Sequence, residues 1–211
     1  MSVRKAERPA MPVPSPPNRP ALRSRYDQRR QLVIDASARV FATKGFHATS
    51  IQDLIEATGL KAGGLYHYIG SKDELLVAIC DELMEPLLDA GREIVAADGP
   101  ARTQLREFMH TWVEHVEHKR DHMLVFQQER HVLAHGRQWQ HVRRQRKEFE
   151  GLLAEIFARG EHDGEFQFAD RELALRALLG MVNQLPQWFR PGGRLSAERI
   201  ADGYLELVIG P

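Results

Sequence analysis

An all-α fold follows from three observations on this 211-residue chain. Apolar residues recur at intervals of three and four along most of its length, the spacing of a helix with one buried face. Twice a Ser or Thr is followed three residues later by Gln or Glu, the reciprocal signature of a helix start. No alternation of apolar and polar residues runs long enough for a strand. The predicted organisation is an arm over residues 1–24, a three-helix domain over 25–72 and a larger helical domain over 73–211.

The arm carries Pro9, Pro12, Pro14, Pro16, Pro17 and Pro20 with few apolar side chains, a composition read as disordered or polyproline-like. Order is expected from near Tyr26. From there to Gly45, Val33, Ile34, Ser37, Ala38, Val40 and Phe41 predict one helix that Gly45 stops. Thr49 with Gln52 predicts a capping box, and Ile51, Leu54 and Ile55 give the apolar face of a short helix ending before Gly59. Another short helix spans Ala62 to Tyr68, and Ser71 with Glu74 opens a long helix through LLVAIC.

Beyond Pro100 three stripes predict longer helices: Leu105, Phe108, Met109, Trp112 and Val116; Val142, Phe149, Leu152, Leu153 and Ile156; Leu175, Leu178, Leu179 and Val182. Between the first two, RDHMLVFQQERHVLAHG reads as one helix ending at Gly136. Pro186 and the PGG at 191–193 interrupt the chain. Ser196 then caps a last helix with Ile200, Tyr204, Leu207 and Val208 facing inward.

The 29 Lys/Arg and 29 Asp/Glu cancel, which argues against a polybasic protein that neutralises nucleic acid in bulk. Divided, the balance is uneven. Residues 1–72 hold 12 basic and 5 acidic side chains, net +7, and residues 73–211 hold 17 and 24, net −7. The first third is therefore expected to meet a polyanion. No apolar run approaches a membrane span, and MPVPSPP stands where a signal peptide needs an apolar stretch, so a cytoplasmic location without membrane association is expected. The single cysteine, Cys80, lies in an apolar run and reads as a buried hydrophobe.

Two short helices joined by a turn at Gly59, with a helix on either side, have the layout of a helix-turn-helix DNA-binding domain. Its third helix would bring Ala62, Gly63, Gly64, Tyr66, His67 and Tyr68 to the major groove. Thr49, Ser50, Lys61 and Lys72 flank it as candidate phosphate contacts. The stretch VIDASARVFATKGFHATSIQDLIEATGLKAGGLYHYIGSKDELLVAI resembles the N-terminal domain of TetR-type transcriptional regulators, through its KGF turn, EATGL turn, GGLYHYI segment and GSKDELL entry. The resemblance implies that Leu65 is core, that Tyr66 and Tyr68 flank phosphates and that His67 approaches the groove. Lys61 and Ala62 stand where the family has a Ser cap followed by Lys, and Ile69 where it has Phe.

One such module reads few base pairs, so a symmetric homodimer on a palindromic double-stranded operator is expected, with the helices near 171–187 and 196–209 at the interface by resemblance. Phe108, Trp112, Met123, Phe126, Trp139 and Phe149 could line an apolar ligand pocket, with Arg130 or Arg190 meeting an anionic group. The C-terminal QWFRPGGRLSAERIADGYLELVIG resembles regulators of fatty-acid or steroid catabolism that respond to acyl-CoA-type ligands, which implies a small-molecule inducer and a repressor. Seven histidines lie between His110 and His141. The pairs His118/His122 and His131/His135 have metal-ligand spacing, and the second reading is a helical metal-binding protein with an N-terminal interaction module. Solvated histidines are the expected outcome. With no nucleophile elbow, P-loop or dinucleotide fingerprint, neither catalysis nor a cofactor is expected.

Overall fold

A computed structural model describes residues 16–210 as ten α-helices and one 3-10 turn, with no strand among the described residues. They form two compact units that divide between Ile79 and Cys80. The first unit holds α1 (Pro20–Lys44), α2 (Ile51–Thr58), α3 (Ala62–Ile69) and the start of α4 (Lys72–Ala96). Residues 1–15 of the expected arm lie outside the described residues.

Helix α1 begins at Pro20, before the expected start near Tyr26 and inside the expected arm. Proline suits a first helical position because its fixed φ is helical and no partner exists there for the N–H it lacks. Asp27 accepts from Arg23 one turn earlier, at 3.2 Å, and Tyr26 is buried. These anchor turns that composition alone assigns to an arm. In α1, Val33, Ile34, Ala38 and Phe41 bury their side chains; so do Leu54 of α2 and Leu65 and Ile69 of α3. Each of these side chains except Ala38 contributes roughly 1.5–3 kcal/mol when removed from water.

Capping differs from expectation at α2. The N-cap is Ser50, whose hydroxyl accepts from the Asp53 amide while the Asp53 carboxylate accepts from the Ser50 amide. Thr49 is buried instead, its hydroxyl donating to the Gly45 carbonyl at 2.7 Å. Gly59 ends α2 at φ 65°, a left-handed conformation that costs a side chain about 1–2 kcal/mol. The second capping residue is as expected, since Ser71 Oγ accepts from the Glu74 amide at 3.0 Å.

The second unit contains the rest of α4, then α5 (Ala101–His118), α6 (Arg120–Gln128), α7 (Arg130–Leu133), the 3-10 turn (Arg137–Trp139), α8 (Gln140–His162), α9 (Arg171–Trp188) and α10 (Ala197–Ile209). Helix α5 packs most extensively on α10 and also on α8 and α9. Its Leu105, Phe108, Met109 and Trp112 meet Phe149 and Leu153 of α8, Val182 and Leu185 of α9, and Leu205 of α10 in one core. Gly160 of α8 lets the Phe166 ring lie on its backbone, where a Cβ would overlap the ring. This holds the α8–α9 loop so that the Glu165 carboxylate accepts from the amides of Ala101 and Arg102, each at 2.9 Å. The first turn of α5 is thereby capped from a distant residue, Pro100 supplying no cap.

Three expectations change here. The helix expected from 120 to 136 is broken at Glu129 into α6 and α7. Pro186 sits within the last turn of α9 without ending it. Leu207, expected inward, is 75 % exposed, beside inward Ile200 and Leu205. No helix among the described residues is long and apolar enough to cross a membrane.

Candidate nucleic-acid interface and ligand pocket

Helix α3 hangs on α1 through aromatic contacts. The Tyr26 hydroxyl donates to the His67 carbonyl at 3.3 Å, and its ring lies 5.4 Å from His67 and 5.1 Å from Tyr68. Burial raises the Tyr26 phenol above its ordinary pKa, so it stays a donor. Of the candidate contact residues in and beside α3, Lys61, Ala62, Gly63 and His67 are exposed, with Gly64, Tyr66 and Tyr68 half-buried. Lys61 occupies the N-cap without a side-chain bond. The first backbone bond of α3 runs from Leu65 to Lys61, so the amides of Ala62, Gly63 and Gly64 point outward at the positive end of a helix, where an anion binds.

Three of the ten expected contact residues have their donors engaged within the protein. Besides Thr49, the Ser50 hydroxyl donates to Asp53 at 2.7 Å. Lys72 donates to the carbonyls of Phe46 and Thr49 at 2.9 and 3.1 Å and lies 4.6 Å from the Phe46 ring centre. Asp53 is also held by Lys44 at 2.7 Å, and these bonds keep its carboxyl well below the usual carboxylate range. Among the described residues, the candidate contacts whose side-chain polar groups have no hydrogen-bond partner are Lys61, Tyr66, His67 and Tyr68.

In the second unit, Trp112, Met123, Phe126 and Phe149 surround a cavity of about 30 Å³, together with Leu83, Met84, Leu87, Leu179, Asn183, Arg146 and Glu150. The Trp112 and Phe149 rings meet edge to face at 4.8 Å. Phe108 belongs to the core below, 5.1 Å from Phe149. Trp139 is buried and takes no part in the cavity walls. Phe126 and Arg146 also line two open clefts of about 500 and 330 Å³, where Arg130 and His131 join them. The larger cleft adds Arg143, Lys147 and Arg176. The Arg130 and Lys147 side chains have no hydrogen bond or ion pair among the described residues, whereas Arg146 pairs with Glu150 at 3.1 Å. Arg190 is engaged elsewhere, donating to the carbonyls of Gln187 and Phe189. The RRQRK run at 143–147, with Arg143, Arg146 and Lys147 three and four apart, is the sequence signal for this basic wall.

Four of the seven histidines, His118, His131, His135 and His141, are exposed as expected, and the other three are drawn into the fold. His122 is buried, His115 Nε2 donates to the Leu83 carbonyl at 3.0 Å, and His110 meets Asp202 at 2.8 Å. Burial lowers the His115 pKa, and the His110 bond lowers that of Asp202. His118 turns Nδ1 to the Glu114 carbonyl on its own helix, and His135, just past the end of α7, turns Nδ1 to the His131 carbonyl. Neither expected pair gathers a third ligand among the described residues. Cys80 is buried, its thiol pushed above its ordinary pKa.

Comparison with known proteins adds the following. Residues 33–79 match the family model described as bacterial regulatory proteins, tetR family, and residues 98–210 match the tetracyclin repressor-like C-terminal domain. The HTH-type transcriptional repressor KstR2 of Rhodococcus jostii (strain RHA1) is 31% identical over 86% of this chain and 89% of its own. The structure of ketosteroid transcriptional regulator KstR2 of Mycobacterium tuberculosis superposes with a TM-score of 0.80 at 26% identity, covering 86% of this chain and 93% of that one. AibR in complex with isovaleryl coenzyme A and operator DNA gives 0.74 at 26% identity, over 87% and 99%.

Proposed function

Because this chain belongs to the tetR family of bacterial regulatory proteins, we propose that it is a homodimeric repressor, releasing a palindromic operator on binding a coenzyme A thioester of a lipid-derived acid. The observation that carries the ligand class is the junction at Phe126 and Arg146 of an apolar cavity with clefts lined by Arg130, Arg143, Lys147 and Arg176. A thioester has those two halves. Its phosphates suit guanidinium and ammonium groups, and its acyl group suits Trp112, Met123 and Phe149. At about 30 Å³ the cavity is too small for an acyl chain, which enters only as the side chains lining it move apart. Ligand thus favours a different conformation, which an inducer requires. The relatives named for repression and the neighbour holding isovaleryl coenzyme A support this reading.

On the DNA side, Lys61, Tyr66, His67, Tyr68 and the α3 amides are the proposed contacts, with Gly63 and Gly64 permitting close backbone approach. Leu173, Trp188 and Leu207, at 65, 45 and 75 % exposure on α9 and α10, are the proposed dimer contacts. The experiment is fluorescence anisotropy with DNA from upstream of the gene, titrated with acyl-CoAs of graded chain length, free coenzyme A and free acids. A matched thioester should weaken DNA binding at least tenfold, about 1.4 kcal/mol of coupling, with free acids inert. Arg130→Ala with Lys147→Ala should keep DNA binding and lose the response, and Tyr66→Ala should lose DNA binding as an intact dimer. An unchanged response in the double variant overturns the ligand reading alone; retention of operator binding by Tyr66→Ala overturns its assigned contact.

A further inference from the structure

We propose that Asp81, Glu85 and His141, with Gln145, form a binding site for one divalent transition-metal ion of the zinc class. Asp81 and Glu85 lie one turn apart on α4, and His141 and Gln145 one turn apart on α8, so two helices present paired donors to each other. One ligand atom from each of Asp81, Glu85 and His141 lies within 4.8 Å of the other two. The separation of His141 Nε2 from Asp81 Oδ1 is 3.0 Å. The two atoms are hydrogen-bonded, and ligands about 2.1 Å from a tetrahedral ion lie about 3.4 Å apart, so an ion that replaces the shared proton needs only a small widening of the pair.

Gln145 supplies an independent observation. Its side chain is buried at 5 % exposure and aims its amide at the cluster, Nε2 donating to Asp81 Oδ1 at 2.9 Å. Its Oε1 has no hydrogen-bond partner, a costly state for a buried carbonyl oxygen. Half a turn of the amide exchanges the two atoms and brings Oε1 into the cluster. A cation there takes that oxygen as a ligand and replaces Nε2 as the partner of the Asp81 carboxylate, while Nε2 turns to the position Oε1 leaves.

The charges balance, since two carboxylates offset a dication while the imidazole and amide are neutral. Binding at Nε2 requires the imidazole proton on Nδ1, and a charged His141 would release one proton to solvent. The imidazole nitrogen favours a zinc-class ion over magnesium or calcium, which take oxygen. Glu85 and His141 are exposed, leaving water access to the remaining coordination positions. A bound ion would tie α4 to the first turns of α8.

The test uses the full-length, tag-free protein, stripped with chelator and dialysed. It is titrated with Zn²⁺ alone by calorimetry and with Co²⁺ followed by visible absorbance. One ion per chain and a raised unfolding temperature are expected. His141→Ala and Glu85→Gln should each weaken binding roughly tenfold or more and abolish the temperature shift, with helicity unchanged. The exposed position of Glu85 keeps the test decisive if the histidine variant misfolds. Failure of the wild-type chain to bind zinc, or unchanged affinity in Glu85→Gln, overturns the site.

Discussion

Lys72 holds its ammonium between two carbonyl oxygens and over the Phe46 ring, so a residue whose chemistry suits phosphate serves the turn before α2. Lys72→Met keeps the stem and removes the donor. It should lower stability by about 1–3 kcal/mol, seen as a lower urea midpoint at unchanged slope; full stability with lost DNA binding would return the residue to the interface. His115 offers a second prediction. Burial favours its neutral form, so its folded pKa lies below its unfolded value near 6.5. The unfolded chain then takes up the proton first. The stability contribution is full above about pH 6.5 and is lost as pH falls towards the folded value. His115→Gln, which keeps an amide donor for Leu83, should flatten the fall in unfolding midpoint between about pH 7 and 5. An equally steep fall in the variant assigns it to other groups.

At the scale of elements, periodicity identified the stripes of α5, α8 and α9 because their apolar residues face one core. It missed the break at Glu129, where buried residues lie on both sides and no Gly or Pro marks the change. The exposure of Gly63 and His67 on α3 was legible from GGLYHYI, where apolar Leu65 and Ile69, four apart, mark the buried side. The engagement of Thr49, Ser50 and Lys72 was not legible, because the carbonyls and carboxylate that hold them come from the turn's three-dimensional path. Likewise Trp112 and Phe108 share one stripe, and only packing separates the cavity wall from the core beneath it. Gly160 was silent in sequence for the same reason, its partner Phe166 lying beyond the helix end. Gly160→Ala should cost about 1–3 kcal/mol by overpacking and speed hydrogen exchange at Ala101 and Arg102, as the loop carrying their Glu165 cap shifts. Slow exchange at both amides would show that the loop absorbs a methyl group.

For the whole molecule, the structural division at Ile79 leaves 12 basic and 7 acidic side chains in the first unit, net +5, against 17 and 22 in the second. Residues 1–15 contribute Arg4, Lys5 and Arg8 against Glu7, net +2. If they meet the operator, their deletion should reduce the slope of log affinity against log salt by up to about 2 per chain, given about 0.9 per phosphate neutralised. An unchanged slope would exclude them from the contact. The Glu165 cap has a consequence in time. It closes the first turn of α5 from 63 and 64 positions downstream, so the chain must complete a long loop before those amides find their acceptor. Helix α5, on which the second unit packs, therefore completes its own beginning late, and a nascent chain that stops short of residue 165 leaves that turn frayed.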